Sequence, residues 1–232
     1  MLHKTKAIVL GHLKYGESSL IVNMYTEEFG IQSYIENGVR KAKAKNKIAL
    51  FQPLTLLDLV VYKKNNSSLN RLSEMKCSQP YQQIPFRIIK STVGIFLSEI
   101  LSSLLRGEEE VNPALFNFLE DSLIKFDKAD TGYYNFHLQL LLKLTQFMGF
   151  YPSNAEELME EVRPFHNIRL TSEQLAKLNI LISAPNYFEE QANLSGEERN
   201  IFLKLILQFY QIHSHSLKEV KSIKILHAVL HE

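Results

Sequence analysis

The strongest β signal in the sequence is the run LTLLDLVVY at residues 54–62. Apolar residues occupy both faces of this run, which is typical of a strand that is buried on both sides. Pro53 precedes it, and KKNNSS at residues 63–68 follows it with the composition of a hairpin loop. We therefore predict a strand at 54–62 and a returning strand at 69–75.

Three further strands are predicted before this run. Residues 7–10 are a short apolar run that ends near Gly11, and residues 20–25 alternate with a period of two. Residues 31–35 read as a third strand, which ends at the turn dipeptide Asn37-Gly38. Five short strands within about 76 residues suit a small closed barrel, because closure removes exposed sheet edges.

Beyond Pro80 the apolar pattern takes the period of helices. An apolar stripe runs from Val93 to Leu104, and residues 133–148 are apolar almost all round, which is typical of a buried central helix. Helix starts are predicted at Asn112-Pro113 and at three capping boxes: Asn154 with Glu157, Thr171 with Gln174, and Ser195 with Glu198. The last helix is predicted to carry an apolar face from Leu217 to Leu230. The fold class is α+β, with a β-barrel at 1–80 and an all-α bundle at 81–232.

The charge of the chain is divided unevenly. The net charge is +1, but the residues up to Pro80 hold twelve Lys and Arg against six Asp and Glu, while the remainder is net acidic. Such asymmetry suggests that the first part meets a polyanion. A solvated basic surface is the alternative.

Several classes of protein are excluded. The single cysteine, Cys77, excludes a disulfide framework and any multi-cysteine metal site. No apolar run approaches the roughly 18 residues of a membrane span, and no signal peptide precedes the first strand, so we expect a cytoplasmic protein. The sequence also lacks G-x-S-x-G, G-x-x-x-x-G-K-[ST], G-x-G-x-x-G and H-E-x-x-H. We therefore expect no enzyme, no cofactor and no small-molecule substrate.

Eight histidines leave a metal site geometrically possible. His213 and His215 precede the last predicted helix, and His227 and His231 lie four residues apart on it. Such spacings arise often by chance, and no flanking acid completes a motif. We predict no metal.

The segment RKAKAKNK at residues 40–47 is the strongest local signal. It carries five positive charges and no acid: Arg40, Lys41, Lys43, Lys45 and Lys47. Like charges repel, so such a loop favours solvent or a polyanion, and phosphates that it neutralises release counterions. Aromatic side chains of a small barrel stack on bases. The candidates are Tyr15, with its neighbour Lys14 as a further DNA contact, and Tyr25, Tyr34 and Phe51, some of which a barrel core would use.

A second basic set recurs near the end of the chain. Lys218, Lys221 and Lys224 lie every third residue on the last predicted helix. A solvated helix face is one interpretation, and contact with an acidic peptide or a DNA backbone is the other.

Blocks of the sequence resemble the bacterial recombination mediator RecO family, in order along the chain. They are AIVL (7–10), YGES (15–18), YTEEFG (25–30), GVRK (38–41), QPLTLL (52–57), FHL (136–138), GFYP (149–152) and LKEVKS (217–222). The resemblance implies an oligonucleotide-binding (OB) fold followed by a helical domain. It implies binding of single- and double-stranded DNA, annealing of complementary strands, and a cytoplasmic, nucleoid-associated role in repair of DNA damage by recombination.

The resemblance also implies partners. With RecR, such a protein helps to load the recombinase RecA onto strands covered by single-stranded DNA-binding protein (SSB), whose acidic tail the helical domain recognises. Arg40 and Lys41 are carried over from the family's basic surface. Many members place four zinc-binding cysteines after the GFYP block, whereas residues 153–170 here contain none. We therefore predict no zinc, and expect helix packing to hold that region together.

Two other functions stay open at this point. An OB-fold RNA-binding factor would prefer structured RNA and would not anneal DNA. A protein-interaction scaffold would use its helical domain, and substitutions in the basic segment would leave its function intact.

Overall fold

The structure is a computed structural model that describes residues 1–39, 45–62, 69–107, 110–165, 167–188, 192–214, 216–217 and 219–230. Its strands are β1 (Leu2–Tyr15), β2 (Ser19–Thr26), β3 (Gly30–Glu36), β4 (Leu56–Tyr62) and β5 (Asn70–Cys77). Its helices are α1 (Lys45–Ala49), α2 (Ile88–Leu104), α3 (Pro113–Lys128), α4 (Phe136–Met148), α5 (Ala155–Val162), α6 (Ser172–Ser183), α7 (Gly196–His213) and α8 (Ile223–Leu230).

The five strands form a closed barrel in the order β1-β2-β3-β5-β4. β1 is long enough to pair with β4 along its first half and with β2 along its second, and a register shift between Val9 and Gly11 bends it between the two. Closure rests on a short parallel contact, in which Tyr34 and Ile35 of β3 pair with Asn70 and Arg71 of β5. The inside is filled by buried apolar side chains, among them Val9, Val22, Met24, Tyr34 and Val61.

The barrel and the helices share one apolar core. Ile8, Leu10, Tyr25, Leu54 and Leu56 point out of the barrel and belong to the same buried cluster as the helical side chains. Polar contacts reinforce this junction: the Tyr25 hydroxyl donates to the Asn112 carbonyl at 3.3 Å, and the Tyr81 hydroxyl to the Leu54 carbonyl at 2.9 Å. Leu54 has a left-handed backbone (φ 65°), and its side chain is fully buried in that cluster.

Helix α4 lies at the centre of the helical part, as its apolar sequence predicts. Six of its apolar side chains are fully buried, and Phe136 stacks on Phe126 of α3 with ring centroids 4.2 Å apart. The capping boxes at Thr171 and Ser195 are both present and begin α6 and α7. Asn154 caps α5, but the Glu157 carboxylate accepts from the Ser153 amide, so the reciprocal bond predicted there is wrong.

The prediction for the last helix is also wrong at its start. Helix α8 begins at Ile223 rather than near Leu217. The Glu99 carboxylate on α2 accepts hydrogen bonds from the Lys221 and Ser222 amides, both at 2.9 Å, which fixes the helix start at that point. Lys221 therefore precedes α8 and Lys224 lies within it, so the lysines do not form one helical stripe.

Candidate nucleic-acid interface

Lys14 and Tyr15 lie at the end of β1, where the chain turns into β2. Gly16 makes this turn possible, because its φ of 58° lies in the left-handed region that favours glycine. Both side chains are exposed, and Tyr15 keeps 51% of its surface in solvent. The turn between the first two strands is one of the loops with which OB folds bind oligonucleotides.

The strand register brings the predicted basic residues to this same end of the barrel. Lys14 pairs with Leu20 of β2, and Leu20 pairs with Glu36 of β3. The Lys47 ammonium, from α1, lies 3.2 Å from the Glu36 carboxylate. One strand, β2, thus lies between Lys14 and the Glu36 partner of Lys47, although Lys14 and Lys47 are 33 residues apart in the chain.

The basic segment itself lies mostly outside the described residues. This applies to Arg40, Lys41 and Lys43, and to the side chain of Lys45. Its two ends are defined, because Val39 and Phe51 are fully buried in the barrel core.

A row of partly exposed side chains, apolar except for Arg71, crosses the outside of the barrel and was missed by the sequence analysis. Leu13, Ile21, Ile35 and Arg71 are direct cross-strand neighbours on four adjacent strands. Cross-strand neighbours share a face, and this face is the outer one, because Leu20, Val22 and Tyr34 between them point inward. The row continues through Tyr62 to Leu2, both about half exposed. The period-two alternation of each strand predicts that these residues point outward. Only the strand register shows that they lie next to one another.

Three of the four aromatic candidates for base stacking are wrong. Tyr25 is buried against Phe116 of α3, and Tyr34 and Phe51 are buried inside the barrel. A buried ring presents no face to a base. Tyr15 is the one of the four that is exposed, and Tyr62 is a further exposed ring that the sequence analysis did not single out.

The remaining candidate groups show no arrangement for bond-making chemistry. Burial raises the pKa of the Cys77 thiol, which keeps it protonated at neutral pH. His213 bonds the Glu161 carboxylate at 2.6 Å and stacks on Phe150, while His215 and His231 lie outside the described residues. Within the described residues, no group of three or more His, Cys, Asp or Glu side chains could hold a metal ion.

Helix α5 lies in the region where many members of the family that this sequence resembles carry zinc-binding cysteines. Its buried side chains are Ala155, Leu158 and Val162, and the Ala155 amide donates to the Asn179 side chain of α6 at 2.7 Å. Packing against α6 and α7 thus orders these residues.

A second candidate surface lies between α7 and α8. It is a groove of about 480 Å³, lined by Leu207, Gln211, Leu217, Glu219, Val220, Lys221, Ile223 and Lys224. Lys221 and Lys224 thus border an apolar floor, whereas Lys218 lies outside the described residues. Against the two lysines the described lining holds one carboxylate, that of Glu219, so an apolar floor with a net basic border suits a peptide with apolar and acidic side chains.

None of the helices in the described ranges is both long and apolar enough to cross a membrane.

Comparison with known proteins assigns both parts of the chain. Residues 1–81 match the family model described as Recombination protein O N terminal, and residues 85–158 match Recombination protein O C terminal.

Relatives of similar length carry the same family name. The DNA repair protein RecO of Flavobacterium psychrophilum is 40% identical, over 97% of this chain and 98% of the relative. That of Flavobacterium johnsoniae is 38% identical, over 96% and 97%, and that of Phocaeicola vulgatus is 34% identical, over 97% and 98%. All three are named for DNA repair rather than for an enzymatic reaction.

Proposed function

Since this chain belongs to the RecO family of DNA repair proteins, we propose that it is a recombination mediator. It binds single- and double-stranded DNA, anneals complementary strands, and acts with RecR to load RecA onto SSB-coated strands. Its place is then the cytoplasm, beside the nucleoid that holds its DNA.

The observation that carries this proposal is the coincidence of charge and exposed apolar surface at one end of the barrel. Lys14 and the Lys47–Glu36 ion pair lie at the end of the barrel where Leu13 and Tyr15 are exposed, and β2 alone lies between the strands of Lys14 and Glu36. Two strands that anneal must overcome phosphate repulsion while their base edges stay free. Ammonium groups screen the phosphates, and apolar and aromatic side chains contact base faces rather than edges.

Annealing of this kind needs no nucleophile, general base or metal. We infer that the protein is not an enzyme and acts by holding strands. The protonated Cys77 thiol and the interfacial lysines are consistent with that role.

The DNA site is tested by fluorescence anisotropy of labelled single-stranded DNA across a salt series. Each neutralised phosphate contributes about 0.7 to the slope of log K against log salt. Replacing Arg40, Lys41, Lys43, Lys45 and Lys47 by Ala should lower the slope by about 2.8, because Lys47 already pairs with Glu36 and we propose that each of the other four neutralises one phosphate. An unchanged slope in a folded variant would rule out this segment as the DNA site.

The ion pair offers a matched control of opposite sign. Glu36→Gln releases the Lys47 ammonium for a phosphate, so the slope should rise by about 0.7. Annealing of two complementary oligonucleotides is then measured with the same variants. Preference for structured RNA and failure to anneal DNA would instead favour an RNA-binding factor.

We propose that the groove between α7 and α8 receives the acidic tail of SSB. Lys221 and Lys224 would meet the carboxylates, and the floor formed by Leu207 and Ile223 would meet an apolar tail residue. Lys224→Glu should weaken binding of a tail peptide at least tenfold. Lys204→Glu, at an exposed position of α7 outside the groove, should leave it unchanged.

The mediator role is tested with the complete system. RecA is incubated with SSB-coated single-stranded DNA, and its ATP hydrolysis is followed with and without this protein and RecR. This protein and RecR together should shorten the lag before RecA hydrolyses ATP, and the Lys224→Glu variant should lengthen that lag again. A lag that is independent of this protein would contradict the proposed function.

A further inference from the structure

A second groove on the helical part is lined by aromatic rings and ammonium groups. It lies between α3, α4 and residues 185–188 and has a volume of about 400 Å³. Such a volume falls within the range of small-ligand pockets. It shares no lining residue with the groove between α7 and α8, and none of its lining residues belongs to the barrel.

The walls of this groove are aromatic. Phe118 of α3 and Phe147 of α4 lie with ring centroids 4.7 Å apart, and both are only half buried. Phe188 adds a third half-buried ring. Aromatic rings with an open face or edge bind planar apolar groups, nucleobases among them.

Two ammonium groups accompany the rings. Lys143 is held in place by hydrogen bonds to the carbonyls of Ala184 and Pro185, and Lys125 is exposed at the rim. Within the described residues neither pairs with a carboxylate, and Asp121 is the one carboxylate that lines the groove. Among the described lining residues two ammonium groups stand against one carboxylate, and this excess of positive charge attracts an anion.

We infer that this groove binds one nucleotide of a single-stranded DNA segment, as a second DNA contact beside the barrel. A nucleotide joins a planar ring and a negative charge within one unit of this size, whereas an acidic peptide distributes them over several residues. This inference rests on the proposed DNA-binding function, and it gives the annealing protein a separate hold on DNA.

The test compares oligothymidine 30-mer binding by the full-length protein and its variants. Phe147→Leu combined with Lys125→Glu removes one ring and reverses one charge, and should weaken binding at least fivefold, in keeping with the usual contribution of one stacked base. Lys128→Glu is the matched control, since it reverses an exposed charge on the same helix outside the groove. It should change affinity less than twofold, and thermal melting verifies that both variants fold.

A second readout locates the base. Oligonucleotides with 5-iododeoxyuridine should crosslink to the peptide that contains Phe147, and the groove variant should lose that crosslink while crosslinks to the barrel persist. If the barrel variant loses affinity but the groove variant binds like the wild type, the inference fails and the proposed function stands. If the wild type binds no oligonucleotide, both fail. Loss of acidic-peptide binding with DNA binding unchanged would also overturn the inference.

Discussion

Lys90 of helix α2 is fully buried, and its side chain caps the C-terminus of helix α3. Its ammonium donates to the carbonyls of Phe126, Asp127 and Ala129 at 2.6 to 2.9 Å, and to the Gln83 side chain at 3.0 Å. These carbonyls lie at a helix C-terminus, where a cation also complements the helix dipole. The Asp127 carboxylate in turn accepts hydrogen bonds from the backbone amides of residues 82, 83 and 84. Lys90 and Asp127 thus hold the segment between the barrel and the helices in place.

Lys90→Met should lower the free energy of unfolding by about 3 kcal/mol or more, because it leaves buried carbonyl groups without donors. Urea denaturation measures this. Lys128→Met, an exposed change at the end of the same helix, should stay within about 0.5 kcal/mol of the wild type. Equal effects of the two changes would contradict the role of Lys90.

His137 makes the protein sensitive to acid. Burial, with a further contribution from the charges of Arg199 and His227, lowers the pKa of His137 from 6.5 to about 3. The folded protein therefore holds the ring neutral while the unfolded chain protonates it below 6.5. Its stabilising contribution is complete above pH 6.5 and is lost progressively as the pH falls toward 3.

Between pH 7 and pH 5 this residue should account for a loss of about 2 kcal/mol in the free energy of unfolding. His137→Gln should reduce the difference between the two pH values by that amount, although its stability at pH 7 is lower. Urea denaturation at both pH values tests this. Parallel losses in variant and wild type would exclude His137 as the titrating group.

At the scale of elements, helix α8 depends on a side chain of another helix. The Glu99 carboxylate accepts from the Lys221 amide, the Ser222 amide and the Ser222 hydroxyl. Although burial of the carboxylate opposes the change, these hydrogen bonds lower the pKa of Glu99. Leu226 and Leu230 then bury the apolar face of α8.

Glu99→Gln should therefore loosen α8 and lower the free energy of unfolding by about 1 to 2 kcal/mol. Hydrogen exchange of residues 223–230 should accelerate more than that of α4. Glu219→Gln, at an exposed carboxylate just before Lys221, is the control and should leave exchange unchanged. Protection of α8 that is equal in both variants would contradict the capping role.

The starts of the helices show which features the local sequence predicts and which it does not. Thr171 and Ser195 begin their helices as predicted, because an N-cap bond involves residues only three positions apart. The start of α8 was predicted too early, because its cap comes from Glu99, 123 residues before Ser222. No periodicity within residues 217–230 encodes that contact.

At the scale of the whole molecule, barrel and helices are joined by one core. Ile8, Leu10 and Tyr25 leave the barrel to pack among the helices, and the Lys6 ammonium lies 2.8 Å from the Glu120 carboxylate across the junction. The division of the chain between residues 80 and 81 is a proposal, and residues from both sides of it pack in this shared core. We therefore expect the two parts to unfold together.

A single cooperative transition should follow. Circular dichroism of the helices and hydrogen exchange of the β1–β3 amides should report one free energy of unfolding. Residues 1–80 expressed alone would expose the outward apolar residues of the barrel, and should be unstable or associate. Two separate transitions, or a stable isolated barrel, would contradict the shared core.

By itself the sequence indicated the class of fold, the family and most of the elements, since these rest on local periodicity, on caps and on blocks of residues in order. It did not predict α1, and it limited the first strand, Leu2–Tyr15, to residues 7–10. It also identified the basic segment, because five like charges in eight residues are visible without a structure. The tertiary structure decided which candidates meet. Strand register places Lys14 and Glu36 at the same end of the barrel on either side of β2 and aligns Leu13 with Arg71, and burial removes Tyr25, Tyr34 and Phe51 from the surface. Register and burial depend on contacts between residues far apart in the chain, which no local pattern records.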